Sequence, residues 1–201
     1  TLTGGITSSS ASRIENDATT AINISTTQIT NTALLTFLIS TTGDINITTT
    51  INGAGGITKD GTGAGSLILN ADNGTTYTGI TTVSAGLVKV AHNNALGTTT
   101  GNTSITSGAT IQVSGNGLTI PETITINGSG IATNQGAIRN PSGINKWTGR
   151  ITLGSASTIV SGTLSGTTTD SLLIETGGID LSSHVLTTDV IKGMRIDGVI
   201  S

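Results

Sequence analysis

Apolar residues recur along this chain at every second position, in short runs, and nowhere hold the three-and-four spacing of a helix. In "DINITTTI" (44–51) the alternation sets Ile45, Ile47, Thr49 and Ile51 on one side of an extended backbone. "GATIQVSG" does the same with Ile111 and Val113, "ETITING" with Ile124 and Ile126, and "GRITLGS" with Ile151 and Leu153. Each run is closed by Gly, Asn, Ser or Asp, so each reads as a short strand between tight turns. "NTALLTFLIS" (31–40) is the most apolar stretch and reads as a buried strand. No apolar run reaches the roughly 18 residues of a membrane helix. Thr, Gly and Ser, all poor helix formers, interrupt every helical candidate. The expected class is all-β, with strands recurring about every 8 to 12 residues, a spacing that sandwiches, barrels and β-solenoids share.

Internal similarity favours the solenoid. "LTGGIT" at 2–7 returns as "ETGGID" at 175–180, and each is followed later by a Gly and an Ile-rich run, "GDINITTTIN" (43–52) and "GMRIDGVIS" (193–201). The copies align Ile47 with Ile196 and Ile51 with Ile200. Joining the last residues to the first gives "GVIS-TLTGGIT", which resembles the internal "TTIN-GAGGIT" (49–58). The expectation is one continuous solenoid over 1–201, a fragment or super-repeat of a longer protein or polymer. Neighbouring copies or modules would stack on it end to end.

Composition narrows this. Charged residues are 9% of the chain, against about a quarter in ordinary domains. Thr supplies roughly a fifth, and the aromatics are Phe37, Tyr77 and Trp147 alone. Disordered chains carry charge and Pro and lack β-branched residues, the reverse of what is present. A core must therefore come from Ile, Val, Leu and Ala, which suit a narrow stack of strands better than a wide sandwich. With no cysteine there is no disulfide framework. A net charge of −3 gives no reason to expect nucleic acid or an anionic membrane as partner. No secretory leader is visible and the chain starts at Thr1 without Met, so a fragment or processed segment is expected.

Residues 55–97 carry a resemblance. Gly55-Gly56-Ile57-Thr58-Lys59, Gly61, Gly63, Leu67 and Leu69 are followed by Asn73, Tyr77-Thr78-Gly79 and Thr81-Thr82-Val83. Ala85-Gly86-Leu87-Val88 and Asn94-Ala95-Leu96-Gly97 complete the block. It resembles the passenger-associated transport repeat of bacterial autotransporters, also called the autotransporter-associated β-strand repeat, with about two extra residues before Leu67 and two before Tyr77. A second block, "GAIRNPSGINKWTGRITLGSASTI" (136–159), is similar to a segment accompanying those repeats in very large bacterial surface proteins, with Pro141 as its departure. The resemblance implies a right-handed parallel β-helix in an extracellular passenger, and no catalytic residues. In such a coil, like residues stack on like, Gly and Asn serve the turns, and identical polar side chains can form ladders. Tyr77 is expected to pack at a coil corner. Trp147 is expected to pack too, against Arg139 or Arg150 by a cation–π contact, with a sugar-stacking Trp as the alternative.

The chemistry of an active site is sparse. Glycoside hydrolysis needs two carboxylates facing one groove. The acids are Glu15, Asp17, Asp44, Asp60, Asp72, Glu122, Asp170, Glu175, Asp180, Asp189 and Asp197, and only Glu15/Asp17 and Glu175/Asp180 are close in sequence. His92 and His184 stand apart with no Cys between them, so no zinc pattern forms. "GGITKDGTGAG" occurs once and lacks the repeated Asp of a calcium-binding nonapeptide. No phosphate-binding Gly-Lys-Ser/Thr element follows a strand. Sequons at Asn23 and Asn73 are common by chance in a chain of this composition. Catalytic, cofactor and metal residues are therefore all expected to be none. The functional expectation is a structural stalk or filament segment at the bacterial cell surface. An adhesin face of Thr, Asn and Ser that takes glycan or host protein is the alternative, and a polysaccharide lyase the remote one.

Overall fold

The computed structural model describes residues 4–201 except Thr26, Asn134, 163–169 and Lys192. Every regular element among them is a strand, and every strand pairing is parallel. The strands stack as a β-solenoid of about eight turns. Chain order visits three faces in rotation.

Face A holds β1 (Ile6–Ser8), β4 (Ile29–Asn31) and β7 (Ile51–Asn52), then, beyond a gap, β14 (Thr119–Ile120), β17 (Ile144–Trp147), β19 (Ser171–Ile174) and β22 (Met194–Ile196). Face B holds β2 (Ser12–Asn16), β5 (Leu35–Ile39), β8 (Ile57–Asp60), β10 (Thr81–Val83), β12 (Thr103–Ile105), β15 (Ile124–Gly128), the start of β18 (Ile151–Ser161) and β20 (Ile179–Asp180). Face C holds β3 (Ile22–Ile24), β6 (Ile45–Ile47), β9 (Ser66–Leu69), β11 (Gly86–Val90), β13 (Ala109–Val113), β16 (Ile138–Asn140), the end of β18 and β21 (Leu186–Val190). Because β18 runs through both B and C without a break, those faces form one 15-stranded sheet.

The alternation seen in sequence becomes columns. On face C, Ile22, Ile45, Leu67, Val88, Ile111, Ile138 and Ile159 stand in register. From Ile45 onward each of them is buried. On face A, Ile120, Trp147, Ile174 and Ile196 form another column. β-branched side chains suit this arrangement, because each adds contact along the axis while the backbone pairs above and below. Ile45, Ile47, Thr49 and Ile51 are all buried, as the alternation requires. They belong to β6 and β7 on different faces, however, so the inward alternation survives the corner between them.

The "GGI" copies do not occupy equivalent places. Ile6 starts a face A strand, while Ile179 lies on face B in the column of Ile57, Thr81, Thr103, Ile124 and Ile151. Ile47 and Ile196 are likewise on faces C and A, and Ile51 and Ile200 on A and B. Each aligned pair is thus displaced by one face. Gly-Gly before an Ile marks a corner, and the chain uses that signal at more than one corner. Leu2 and Thr3 of the first copy lie outside the described residues.

Coil length changes part-way. Paired residues of neighbouring coils lie 21 to 24 apart through the pairing of Thr103 with Ile124. From the pairing of Ile111 with Ile138 onward several pairs lie 27 to 29 apart. The first extra length is the loop between β15 and β16, which folds over face C. At one end of the stack β1, β2 and β3 keep one strand partner each; at the other β21 and β22 do, while β20 is also bridged by Ile200 of the terminal residues.

Candidate functional site

The corner between faces A and B stacks small residues. Two positions before the first inward residue of each face B strand stand Ala33, Gly55, Gly79, Gly101, Glu122, Gly149 and Gly177. The backbones are in near contact there. A Cβ on Gly79 would sit 2.1 Å from the Gly55 carbonyl oxygen, and one on Gly149 would sit 1.9 Å from that of Glu122. A carboxylic acid therefore occupies a place that five other coils give to glycine.

Its side chain lies inside the solenoid, 2% exposed. Glu122 Oε1 accepts a 2.8 Å hydrogen bond from Thr103 Oγ1, while Oε2 is buried with no hydrogen-bond partner. The Glu122 carbonyl oxygen accepts the indole N–H of Trp147 at 2.9 Å. One coil further, Thr81 Oγ1 donates to Tyr77 Oη at 3.3 Å, and Tyr77 Oη donates to the Ile80 carbonyl at 2.9 Å. Thr81 and Thr103 stand in the inward column between Ile57 and Ile124, so two hydroxyls interrupt an aliphatic ladder. This occurs where face A has no paired strand between β7 and β14. Tyr77 closes the gap with a single parallel bridge to Gly53, and its carbonyl oxygen accepts Thr98 N.

Burial dominates the electrostatics. It pushes the Glu122 carboxyl up to about 8, opposed by the Thr103 bond. It pushes the Tyr77 phenol up to about 12, beyond use as a base near neutrality. At neutral pH the group is a neutral acid held by a hydroxyl, and a dissolved molecule has no path to it. Chemically it stores a proton.

Lys59 is another buried ionisable residue. It stands inward on face B between Phe37 and Val83. Its Nζ donates to the carbonyls of Asp60, Gly61 and Ala85 at 2.7, 2.9 and 3.2 Å. Burial lowers its pKa to about 8, with the neighbouring Asp60 charge opposing the shift. The carbonyl cage is the compensation that a buried ammonium requires.

The other residues singled out in sequence serve structure. Trp147 is fully buried and stacks between Ile120 and Ile174, so it offers no platform to a sugar. Arg150 pairs with Asp180 at 2.8 Å and Arg139 bonds Gln135. Glu15 pairs with Arg13 at 2.9 Å and Glu175 with Lys146 at 2.9 Å. Asp44 accepts Ser66 N, Asp60 accepts Gly61 N, and Asp170 accepts Gly143 N, which makes them turn anchors. Asp72 accepts Asn94 Nδ2 and Gly74 N, and these bonds hold its carboxyl below the usual range. Asp197 pairs with Arg195. His92 Nδ1 accepts Asn94 N, and His184 is exposed. Among the described residues no three of His, Cys, Asp or Glu gather as a metal site.

The sequons at Asn23 and Asn73 differ. Asn23 is exposed and accepts a 2.7 Å bond from Asn46 one coil on, the stacked-amide arrangement expected of like residues. Asn73 is buried, accepting Ile51 N and donating to the Ala95 carbonyl. It is out of reach of glycosylation once folded. No protein-family model, curated protein or solved structure matches this chain.

Proposed function

We propose that this chain is a structural segment of an extracellular stalk or filament on a bacterial surface. In this reading it is continued end to end by further modules of the same kind. The observation that carries the reading is the last coil. Its strands β21 and β22 each have one free edge, β20 is covered by residues 199–201 whose own outer edge is open, and Val185, Val190, Val199 and Ile200 are exposed there, Val199 by 76% and Ile200 by 53%. An open parallel edge backed by aliphatic side chains is a template for another coil. The opposite end offers three parallel strands with Ile6, Ile14 and Ile22 only half-buried. The interior supports the same view, because it is filled by stacked aliphatics with Glu122 and Lys59 sealed among them. Low charge, absence of cysteine and the resemblance to passenger repeats support placement outside the cell.

Electron microscopy of the purified chain across a concentration series tests this. The expected result is rods whose length grows in steps of one module. Rods of a single length at every concentration, with mass matching one chain, would overturn end-to-end continuation. Replacing both Val199 and Ile200 with Lys is expected to stop growth at this end while leaving the far-ultraviolet β signal intact.

A further inference from the structure

Described residues of the loop between β15 and β16 overhang an open cleft on the outside of face C, about 460 Å³ in volume. Ser129 and Thr133 line it from the loop; Thr158 of β18 and Thr187, Thr188 and Asp189 of β21 line it from the wall. The overhang is pinned in place. Thr110 Oγ1 donates to the Gly136 carbonyl at 2.8 Å and accepts Ile131 N at 3.0 Å. Gly128, Gly130 and Gly136 take positive φ to make the loop's bends, and a Cβ on Gly136 would strike Val160 of the wall at 2.9 Å.

Among the described residues the polar side chains of this cavity have no bonding partner. No side-chain hydrogen bond or ion pair engages Ser129, Thr133, Thr158, Thr187, Thr188 or Asp189. Hydroxyls at the coil corners behave differently. Thr76, Thr106, Thr148 and Thr176 each donate to a carbonyl of the coil before them. Five hydroxyls and one carboxylate thus converge, unengaged, on one concave space.

We propose that this cavity is a binding site for a neutral polyhydroxylated ligand, a mono- or disaccharide unit of a glycan. The volume falls within the range of about 300–1,000 Å³ usual for small-molecule sites. Asp189 can accept two adjacent ligand hydroxyls through its two oxygens, a charge-assisted pair stronger than neutral bonds. The threonine and serine hydroxyls both donate and accept, so they match sugar hydroxyls in either sense. No Lys or Arg is among the described residues lining the space, and Asp189 repels anions, so a phosphorylated or acidic sugar is disfavoured. With no aromatic wall the single-site affinity is weak. A row of modules would raise it by holding many sites near one polymer. The inference does not rest on the filament reading, since the cavity is complete within one chain.

Saturation-transfer NMR of the full chain with glucose, galactose, mannose, N-acetylglucosamine and their disaccharides is the test. Saturation transfer to the ring protons of at least one sugar is expected, with affinity falling about tenfold in Asp189→Asn and further in Thr158→Val/Thr187→Val. All three positions are on the outer wall, so the melting temperature of the variants should match the parent and separate loss of site from loss of fold. Three results would overturn the proposal: no transfer from any of these sugars, transfer unchanged in both variants, or binding of calcium alone.

Discussion

Glu122 and Lys59 show at the scale of single residues how a charge-poor chain carries ionisable groups in its interior. Glu122 lies inside with one oxygen unpartnered and a carboxyl pushed up to about 8 from an ordinary 4.5. A raised acid pKa means that the folded state holds its proton longer than the unfolded chain does. Stability from this group is therefore intact below about pH 4.5, declines as pH rises from there, and levels off above about pH 8. Glu122→Gln keeps the acceptor for Thr103 and removes the ionisation. The variant should match the parent near pH 4 and exceed it by on the order of a few kcal/mol at pH 8, read from urea midpoints along a pH series. A constant difference between the two proteins at every pH would sink the assignment. Lys59 is testable by chemistry, because an ammonium caged by three carbonyls should resist acylation until the chain unfolds. Mass spectrometry after brief acetylation should find it unmodified while the exposed Lys146 reacts.

At the scale of elements, the small-residue corner sets the spacing of faces A and B. Gly149→Ala would bring a Cβ against the Glu122 carbonyl, and backbone cannot move aside as a flexible side chain can. The expected cost is about 1–3 kcal/mol or more, from overpacking, with a lowered melting temperature by circular dichroism. Truncation in a column acts oppositely. Ile111→Ala removes a buried side chain between Val88 and Ile138 and should cost about 2–5 kcal/mol. Much of this level was legible beforehand. Ile111 with Val113, Ile124 with Ile126 and Ile151 with Leu153 face inward as their alternation required. The split of 44–51 between two faces was not legible, because a corner that keeps the inward phase leaves the two-residue period unbroken. Glu122 and Lys59 were hidden for another reason. Their burial depends on partners from other coils, Thr103 for one and Ala85 for the other. The signal for Glu122 appears only once the coils are aligned, when it stands alone among glycines and an alanine.

For the whole molecule, continuity of register governs. Faces B and C share one sheet from the first coil to the last, and β18 welds them into a single strand at one coil. Such a body gains stability mainly from neighbour-to-neighbour contacts, so its ends are its weakest coils unless something covers them. The unfolding midpoint should rise with protein concentration if copies stack, and the Val199→Lys/Ile200→Lys variant should lose that dependence. This equilibrium readout is separate from the images of growing rods.

The gap in face A has a consequence for a body under tension. Between β7 and β14 two turns are held by two walls and one tyrosine bridge, where the turns on either side have three walls. Pulled along its axis, the rod is a spring with one soft segment, set about midway along its length. Extension would begin around Tyr77 and be reversible there before either stiff half yields. In a row of such modules, compliance would then recur once per module, spreading a sudden load along the whole fibre.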